Sequence, residues 1–504
     1  MSTVHFDKIN EAIVRVTSDD QGAMMELSEA FTFYVDGYKF MPAYRNKFWD
    51  GKLRLYDVRT GNLPYGLVHK ALKITNSRGY NIEISDELSP SDPPSELEIL
   101  KFISSLDIRH GGAPIEPRDY QIRAVVKSIQ DGRKLIVSPT GSGKSLIIYL
   151  VLRYFLENSE ESECGLVIVP TTSLVEQMAK DFADYSSHDN DFDAEEEVHK
   201  IYSGKQKDTH KRITITTWQT AVKCPRTWFL KYGMVVGDEA HGFKAKSLSQ
   251  IMNSCVNAYY RIGATGTLDG LQCNELQLIG HFGPIYKVIS TKDLIDNKTL
   301  ADLKINCLVL QHGDEISKVV AKMDYKSEIA TIVEHPQRNK FIKNLALDQK
   351  GNTLVLFNYV EKHGKPLYES ILEAAHKDRE VFYVSGEVKT EDRELIRALT
   401  EKESNAIIVA STQCFSTGIN IKSLNNIIFA APTKSQIRVL QSIGRGLRKS
   451  KDGKGTVVYD ITDNFQWKKK KNYTLNHGVE RVKIYAKEGF DYQIFEIPMD
   501  SPKV

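Results

Sequence analysis

The sequence predicts an α/β protein in which a small module precedes two successive parallel-sheet domains. Short apolar runs alternate with helical segments, this alternation occurs twice, and a proline-rich stretch at Ser85–Ser95 follows an aromatic-rich beginning. Short continuous apolar runs are typical of strands that are buried on both faces, and helices between them indicate βαβ units. At roughly 100–200 residues per domain, a chain of 504 residues has room for about three.

Bulk composition excludes several classes of protein. The chain carries 67 Lys+Arg against 65 Asp+Glu, a formal net charge of +2 that indicates no particular partner. Its six cysteines include no C-x-x-C pair, which argues against a zinc site or a disulfide framework. The beginning MSTVHFDKIN is no signal peptide, and no apolar run reaches about 18 residues. We therefore expect a soluble cytoplasmic protein with no membrane partner.

The apolar runs define the domain boundaries. The first series comprises Lys134–Pro139, Gly165–Pro170, Arg212–Thr217 and Met234–Glu239. The second comprises Ile305–Leu310, Asn352–Phe357, Glu380–Ser385, Asn405–Ala410, Asn425–Ala430 and Thr456–Ile461. We expect an N-terminal nucleic-acid-binding module over residues 1–95, parallel-sheet domains over 96–290 and 291–462, and a basic tail over 463–504.

A glycine loop between a strand and a helix predicts a phosphate site. The loop SPTGSGKS follows the first apolar run and precedes the helical stretch LIIYLVLRYFL. Glycines in this position let backbone N–H groups face a phosphate at the helix N-terminus, so the loop is typical of nucleoside triphosphatases. The predicted nucleotide contacts are Thr140, Gly141, Ser142, Gly143, Lys144 and Ser145, with Lys144 on the β/γ-phosphates and the Ser145 hydroxyl on Mg²⁺.

Two adjacent carboxylates follow the run MVV, in GDEAH. A pair at a strand end can divide the chemistry: Asp238 would hold Mg²⁺ through water, and Glu239 would polarise the attacking water. Their position after the phosphate loop, with several βα units between, favours this hypothesis over a chance acidic pair. The sequence therefore predicts a nucleoside triphosphate and Mg²⁺ as cofactors.

Further motifs resemble those of superfamily 2 helicases, which implies two tandem RecA-like lobes. EPRDYQ (Glu116–Gln121) resembles the segment that reads adenine, so the resemblance assigns that contact to Gln121. VPTTSLVEQ and TTWQT resemble motifs Ia and Ib, which would place Thr171, Thr217 and Trp218 against the tracked strand. GATGT (Gly263–Thr267) resembles motif III, which links hydrolysis to strand movement.

The second lobe carries the remaining motifs. ASTQCFSTGIN resembles motif V, in which Gly418 would join the nucleotide and nucleic-acid sites. QSIGRGLRK resembles motif VI, whose Gln441, Arg445 and Arg448 are spaced for one helical face. Arginines that face a γ-phosphate neutralise the charge that develops in the transition state. The resemblance implies that ATP binds between the lobes and that its hydrolysis drives steps along a strand.

Two basic segments are candidate nucleic-acid contacts. Between Asp36 and Arg59 the chain interleaves lysines and arginines with six aromatic residues, a combination that suits backbone contact and base stacking. We single out Arg45, Lys47, Trp49 and Lys52. The alternative, that these rings form the core of a small domain, stays open. The second segment is WKKKK, from which we single out Lys468 and Lys469; a merely solvated basic run is the alternative.

The phrases FWDGKLRLYD and LPYGLV resemble the UvsW family of recombination helicases of tailed bacteriophages, and similarity continues through VSGEVKTEDRE and LNHGVERVKIYA. This resemblance implies ATP-dependent remodelling of branched DNA: Holliday-junction migration, fork regression and unwinding of R-loops and D-loops in recombination, repair and replication. It also implies a monomer, 3′-to-5′ movement, recombination and single-strand-binding proteins as partners, and the host cytoplasm as location.

Two other functions stay open at this point. An RNA helicase would carry the same motifs, because phosphate contacts hardly distinguish DNA from RNA. A nucleotide-gated clamp would use the ATP cycle only to change its affinity for DNA. The aromatic first module favours branched DNA over RNA, and the intact acidic pair and arginines favour turnover over a clamp.

Overall fold

The computed structural model describes residues 2–88, 92–202, 210–388, 395–396, 398–400, 402–417, 424–431, 443–444, 447 and 455–499. The chain divides into two compact units. The first comprises Met1–Ser138 with Gly143–Val288, and the second comprises Pro139–Ser142 with Ile289–Val504. None of the helices in the described ranges combines the length and the apolar character that crossing a bilayer requires.

The N-terminal module is built on a four-stranded mixed sheet. The strands of the whole module are β1 (Thr3–Lys8), β2 (Ile13–Ser18), β3 (Thr32–Tyr34), β4 (Lys52–Arg54), β5 (Asn62–Pro64) and β6 (Asn81–Ile84). The sheet order is β5-β2-β1-β6, with β1 and β6 parallel, whereas β3 and β4 form a separate antiparallel pair. Alternate residues of β1 and β2 are buried, so one face of the sheet packs against the helices Gln21–Ala30 and Val68–Ser77.

The module packs directly onto the first large domain. A Cβ added to Gly66 would lie 1.9 Å from the carbonyl oxygen of Ile279, so the two backbones touch where only glycine fits. Leu276 belongs to the hydrophobic core of the module although it comes from the helix Gln272–Phe282. Arg133 forms an ion pair with Glu11. The module and the first domain therefore share one core.

In the first large domain a short antiparallel pair, β7 (Arg109–His110) and β8 (Ala113–Pro114), precedes a seven-stranded parallel sheet. Its strands are β9 (Arg133–Val137), β10 (Cys164–Val169), β11 (Val198–Ile201), β12 (Ile213–Thr217), β13 (Tyr232–Asp238), β14 (Tyr260–Thr265) and β15 (Ile285–Lys287), in the order β11-β12-β10-β13-β14-β9-β15. The main helices are Glu96–Ser105, Asp119–Asp131, Lys144–Asn158, Thr172–Tyr185, Lys246–Ser254 and Gln272–Phe282. Strands β10 and β13 are buried along their whole length, as the continuous apolar runs predicted.

The second unit contains another seven-stranded parallel sheet. Its strands are β16 (Leu303–Gln311), β17 (Thr353–Phe357), β18 (Val381–Val384), β19 (Ile407–Ser411), β20 (Asn426–Phe429), β21 (Thr456–Asn464) and β22 (Tyr492–Pro498), in the order β18-β19-β17-β20-β21-β16-β22. Its helices include Thr291–Asp296, Asp314–Val320, Tyr325–Glu334, Pro336–Asp348, Lys365–Ala374, Thr412–Thr417 and Tyr473–Lys487. The stretch that we set apart as a basic tail contributes a helix and the edge strand β22 to this domain.

The fold class is therefore confirmed. Two parallel seven-stranded sheets follow one another along the chain, and a small mixed α/β module precedes them. Every strand pair in the two large sheets is parallel, which requires the crossover helices that the alternating pattern predicted.

Candidate nucleotide and nucleic-acid sites

Three sequence motifs lie at one edge of the first sheet. Strands β9, β14 and β13 are neighbours, and their register pairs Val137 with Thr265 and Ala264 with Asp238. Because the carboxyl ends of parallel strands meet at the same edge, the glycine loop, the acidic pair and the GATGT segment come together there. Ligands of open α/β sheets bind at this edge.

The glycine loop has the backbone that the sequence predicted. Gly141 and Gly143 are left-handed, with φ of 83° and 82°, and the helix begins at Lys144. The Lys144 ammonium group donates to the carbonyl oxygen of Ser138 at 3.0 Å, which holds its side chain back across the loop. The Ser142 hydroxyl donates to the carbonyl oxygen of Pro139 at 2.6 Å and so closes the turn in which Thr140 lies.

Gln121 lies against this loop. Its Oε1 accepts a hydrogen bond from the backbone N–H of Arg118 at 2.8 Å, at the start of the helix Asp119–Asp131. Its Nε2 would be only 2.2 Å from a Cβ on Gly143, so no larger residue fits at that position without moving the amide. The structure thus brings Gln121 to the loop, and its contact with adenine stays a prediction.

The acidic pair occupies a strained strand end. Asp238 is 9% exposed, and burial together with the adjacent Glu239 raises its pKa to about 6, although Lys144 acts in the opposite direction. Glu239 has a φ of 50°, the left-handed region that non-glycine residues rarely adopt. Such backbone strain costs on the order of 1–3 kcal/mol and clusters at functional sites.

A histidine that we did not single out connects the acidic pair to the GATGT segment. The Nδ1 of His241 lies 3.4 Å from Glu239 Oε2 and 3.0 Å from the Thr265 hydroxyl oxygen. Because the Thr265 hydroxyl donates to the carbonyl oxygen of Thr267 at 3.0 Å, it accepts from His241, which places the proton on Nδ1. Its place in GDEAH is the signal in the sequence that could have identified it.

A second contact that the sequence did not predict concerns Ser145, the expected Mg²⁺ ligand. Its hydroxyl lies 3.0 Å from the phenol oxygen of Tyr185, at the end of the helix Thr172–Tyr185. Burial raises the pKa of Tyr185 to about 12, so the phenol stays protonated. The two residues are 40 positions apart, and no local pattern predicts this contact.

The motif Ia and Ib residues lie at the carboxyl ends of β10 and β12. Thr171 is the N-cap of the helix Thr172–Tyr185 and accepts a hydrogen bond from the Leu174 backbone at 3.4 Å. Thr217 is only 4% exposed and shares a hydrogen bond of 3.1 Å with Thr220. Trp218 packs partly against the hydrophobic core. Contacts of these residues with nucleic acid stay predictions.

The aromatic segment of the N-terminal module divides into core and surface. Tyr56 is 1% exposed and belongs to the core, whereas Phe40 and Phe48 are 75% and 85% exposed. The side chains of Arg45 and Lys47 are also exposed. The core interpretation therefore holds for Tyr56, whereas contact of the exposed rings with nucleic acid stays a prediction.

Two of the predicted contacts in this segment already have partners within the module. The indole Nε1 of Trp49 donates to the carbonyl oxygen of Lys52 at 2.9 Å, which fixes the indole on the hairpin. The Lys52 ammonium group lies 5.2 Å from the centre of the Tyr34 ring. A lysine over an aromatic face keeps its charge available to solvent while its stem packs.

Lys468 and Lys469 occupy an exposed tight turn between β21 and the last helix. Trp467 and Lys470 exchange backbone hydrogen bonds of 3.1 and 3.0 Å across it, and Lys468 adopts a φ of 54°. The Lys470 ammonium group donates to the carbonyl oxygen of Ala321. The predicted Gly418, Gln441, Arg445 and Arg448 lie outside the described residues.

Comparison with known proteins identifies the family. The chain is 38% identical over 506 residues to the ATP-dependent DNA helicase UvsW of Enterobacteria phage T4, an alignment that covers 97% of this chain and 98% of that protein. The chain belongs to the UvsW family. The family model of the UvsW N-terminal domain matches residues 3–85, which include the aromatic segment.

Two further family models match the large domains. The res subunit of type III restriction enzymes matches residues 114–270, and the helicase conserved C-terminal domain matches residues 337–450. The crystal structure of T4 UvsW, at 35% identity, aligns with a TM-score of 0.52 over 99% of this chain and 100% of that one. These matches confirm the predicted resemblance to superfamily 2 and UvsW-type helicases.

A more distant relative shares less of its sequence with this chain. The DNA 3′-5′ translocase XPB2 of Sulfurisphaera tokodaii is 25% identical over 388 residues, which cover 69% of this chain and 82% of that protein. A type I restriction HsdR fragment from Vibrio vulnificus, at 18% identity and a TM-score of 0.57, shares the fold alone.

Proposed function

We propose that this UvsW-family chain is an ATP-dependent DNA helicase that remodels branched DNA in the host cytoplasm. The alignment with T4 UvsW over nearly the full length of both proteins supports the proposal most strongly. The substrates that we propose are Holliday junctions, stalled forks and R-loops or D-loops. The exposed rings Phe40 and Phe48 and the exposed Arg45 and Lys47 support contact with exposed or splayed bases, because rings stack on such bases while cations pair with phosphates.

The nucleotide site fits ATP with Mg²⁺. The left-handed glycines turn backbone N–H groups toward the start of the helix at Lys144, and that helix N-terminus favours an anion. Bound Mg²⁺ would neutralise phosphate charge, held by the Ser145 hydroxyl and by Asp238. Lys144 would exchange its bond to the Ser138 carbonyl for the β- and γ-phosphates.

The remaining roles concern water and coupling. Glu239 would accept a proton from the attacking water, and its distance of 3.4 Å from His241 Nδ1 keeps the carboxylate oriented. Because His241 also forms a hydrogen bond with Thr265, a displacement of Glu239 would be transmitted to the segment that follows β14. We retain Arg445 and Arg448 as the charge-neutralising residues of motif VI, with Gln441 as a further catalytic residue on the same helical face. Gly418 of motif V remains the proposed link between the nucleotide and nucleic-acid sites.

Steady-state ATP hydrolysis tests the proposal. Wild type and Glu239→Gln would be compared without nucleic acid and with single-stranded DNA, duplex DNA, a four-way junction and single-stranded RNA. We expect the junction to stimulate hydrolysis most, and we expect the variant to be inactive throughout. Greater stimulation by RNA would assign the chain to RNA metabolism. Hydrolysis under no condition would favour a nucleotide-gated clamp.

The phosphate contact of the basic turn has its own test. Replacement of Lys468 and Lys469 by Ala should reduce the slope of log affinity against log salt for single-stranded DNA by about 0.7 for each phosphate that the protein then leaves unneutralised. Lys483→Ala is the control, because this exposed lysine already pairs with Glu480. An unchanged slope in the double variant would mean that the turn is only solvated.

A further inference from the structure

Three exposed tyrosines lie close together in the second unit, none of them in a helicase motif. Tyr325, Tyr359 and Tyr473 are 45%, 44% and 45% exposed, although most large side chains of this domain are buried. The rings of Tyr325 and Tyr473 meet edge to face with centroids 5.8 Å apart. Tyr359 precedes the short helix Val360–Gly364, which contacts the helix Tyr325–Glu334 that begins with Tyr325. We call these three residues the tyrosine platform.

A buried carboxylate joins the helices that carry Tyr325 and Tyr473. Glu328, 1% exposed, accepts hydrogen bonds from the backbone N–H groups of Tyr473 at 2.9 Å and Thr474 at 2.7 Å. This fixes the helix Tyr325–Glu334, which carries Tyr325, against the start of the helix that carries Tyr473. On the other side, Lys362 pairs with Glu334 at 2.6 Å, next to the turn that Tyr359 precedes. Rings whose backbones are fixed lose little entropy when they bind a ligand.

Positive charge adjoins the platform. The exposed lysines Lys468, Lys469 and Lys471 end two residues before Tyr473, and the exposed Lys326 follows Tyr325. The turn that carries them is tied down at Trp467 and Lys470. Fixed aromatic faces beside fixed cations match the chemistry of a single nucleic-acid strand, whose bases stack while its phosphates pair with lysines.

The platform also lies on the relevant edge of the sheet. Tyr359 follows the carboxyl end of β17, and the basic turn follows the carboxyl end of β21. Strand β19, which leads into the motif V segment at Thr412, is the neighbour of β17 and ends at the same edge. Tyr359 thus lies at the same edge of the sheet as Thr412, where the motif V segment leaves β19.

We propose that Tyr325, Tyr359 and Tyr473 form a base-stacking site for a single strand of DNA, with Lys468 and Lys469 on its phosphates. This inference rests on the proposed DNA helicase function. It adds that the second domain itself contacts the bases of the bound strand. Stacking requires the ring and not the hydroxyl group, and it requires bases on the strand.

Binding to oligo-dT and to an abasic strand of equal length and charge tests the site, with fluorescence anisotropy as the readout. We expect Tyr325→Ala, Tyr359→Ala and Tyr473→Ala each to weaken binding of oligo-dT by about 5- to 150-fold for each base that no longer stacks. Binding of the abasic strand should not change. Tyr→Phe at each position should keep wild-type affinity. Tyr259→Ala, which removes a 36% exposed tyrosine from the first unit, is the matched control.

The outcomes separate this inference from the function on which it rests. An equal decrease in affinity for both strands, or none for either, would overturn the stacking site while DNA-stimulated hydrolysis of ATP upheld the helicase. Absence of that stimulation in wild type would instead overturn the proposed function. Circular dichroism would verify that each Ala variant is folded. Should one of them unfold, Tyr→Leu at that position, which keeps an apolar side chain without a ring, takes its place with the same expected loss of oligo-dT affinity.

Discussion

The buried carboxylate of Glu328 offers the sharpest test of how the second domain is held together. It lies at the N-terminus of the helix Tyr473–Lys487 and accepts four hydrogen bonds: from the Asn472 amide at 3.0 Å, the Tyr473 N–H at 2.9 Å, and the Thr474 N–H and hydroxyl at 2.7 and 2.9 Å. The replacement Glu328→Gln keeps the shape of the side chain and removes its charge.

The cost follows from the geometry. One amide oxygen can still accept from Thr474 and Asn472 at the Oε1 position, but the amide nitrogen must then face the N–H of Tyr473, donor against donor. A hydrogen bond to a charged group contributes about 1.5–3 kcal/mol. Removal of the charge at a buried helix N-terminus adds up to about 2 kcal/mol. We therefore expect the free energy of opening this helix to fall by about 2–5 kcal/mol.

Amide hydrogen exchange of the first turns of this helix measures that change directly. Protection there should fall by at least about 30-fold, at roughly 1.4 kcal/mol per factor of ten. The control is Glu334→Gln on the same helix as Glu328, because its exposed pair with Lys362 contributes less than about 1 kcal/mol. Equal exchange in the two variants would refute the view that Glu328 holds the helix in place.

Three further predictions concern the glycine loop and two buried titratable side chains, His363 and Asp460. Gly143→Ala should abolish binding of a fluorescent ATP analogue, whereas Gly79→Ala, also at positive φ but with open space around it, should only lower stability by about 1 kcal/mol. Burial lowers the pKa of His363 to about 3, so the side chain stays neutral in the folded protein. The free energy of unfolding should therefore fall as the pH drops below about 6.5, where the unfolded chain binds a proton that the folded chain does not. In urea titrations, His363→Leu should make this decrease smaller by about 1.4 kcal/mol per pH unit. Asp460→Asn should destabilise the second domain by about 3–5 kcal/mol in the same titration, because it leaves Arg481 buried without its partner charge; a decrease below about 1 kcal/mol would contradict this.

The nucleotide site was predictable because its chemistry is local in the sequence. The stretch from Ser138 to Ser145 contains both the glycines that must be left-handed and the residues that would contact phosphate. The partner pair Asp238 and Glu239 follows a buried strand, and parallel topology brings all strand ends to one edge. Once the βαβ pattern was recognised, the meeting of the two motifs followed without any knowledge of side-chain positions.

The contacts that hold the helices of the second domain in place were not predictable, because they join residues that are distant in sequence. Glu328 and Tyr473 are 145 positions apart, and no periodicity connects them. A buried glutamate in a helix looks in the sequence like any solvated one. For the same reason the sequence does not reveal the tyrosine platform: three isolated tyrosines become a site only when two helices and a strand end meet.

The basic stretch before Tyr473 shows how composition alone misplaces an element. The sequence predicts a basic tail over residues 463–504, yet the residues after the lysines form a helix and the edge strand Tyr492–Pro498, which pairs in register with Ile305–Gln311. Strand residues such as Ile494 and Phe495 are 56% and 41% exposed, so the strand lacks the apolar burial that marks central strands. Its pairing is held by backbone hydrogen bonds, which leave no pattern in the side chains.

The interface between the N-terminal module and the first sheet offers a route by which DNA binding at the module could affect the nucleotide site. Arg133 opens the strand that runs directly into the glycine loop, and its guanidinium group pairs with Glu11 and stacks 3.9 Å above the ring of Tyr65. Glu11 also donates its backbone N–H to the carbonyl oxygen of Val256 at 2.9 Å. Close-packed interiors transmit displacement instead of absorbing it. A module that shares its core with the first domain therefore moves with it, so DNA bound at the aromatic segment would be carried together with the strand Arg133–Val137, which leads into the phosphate loop.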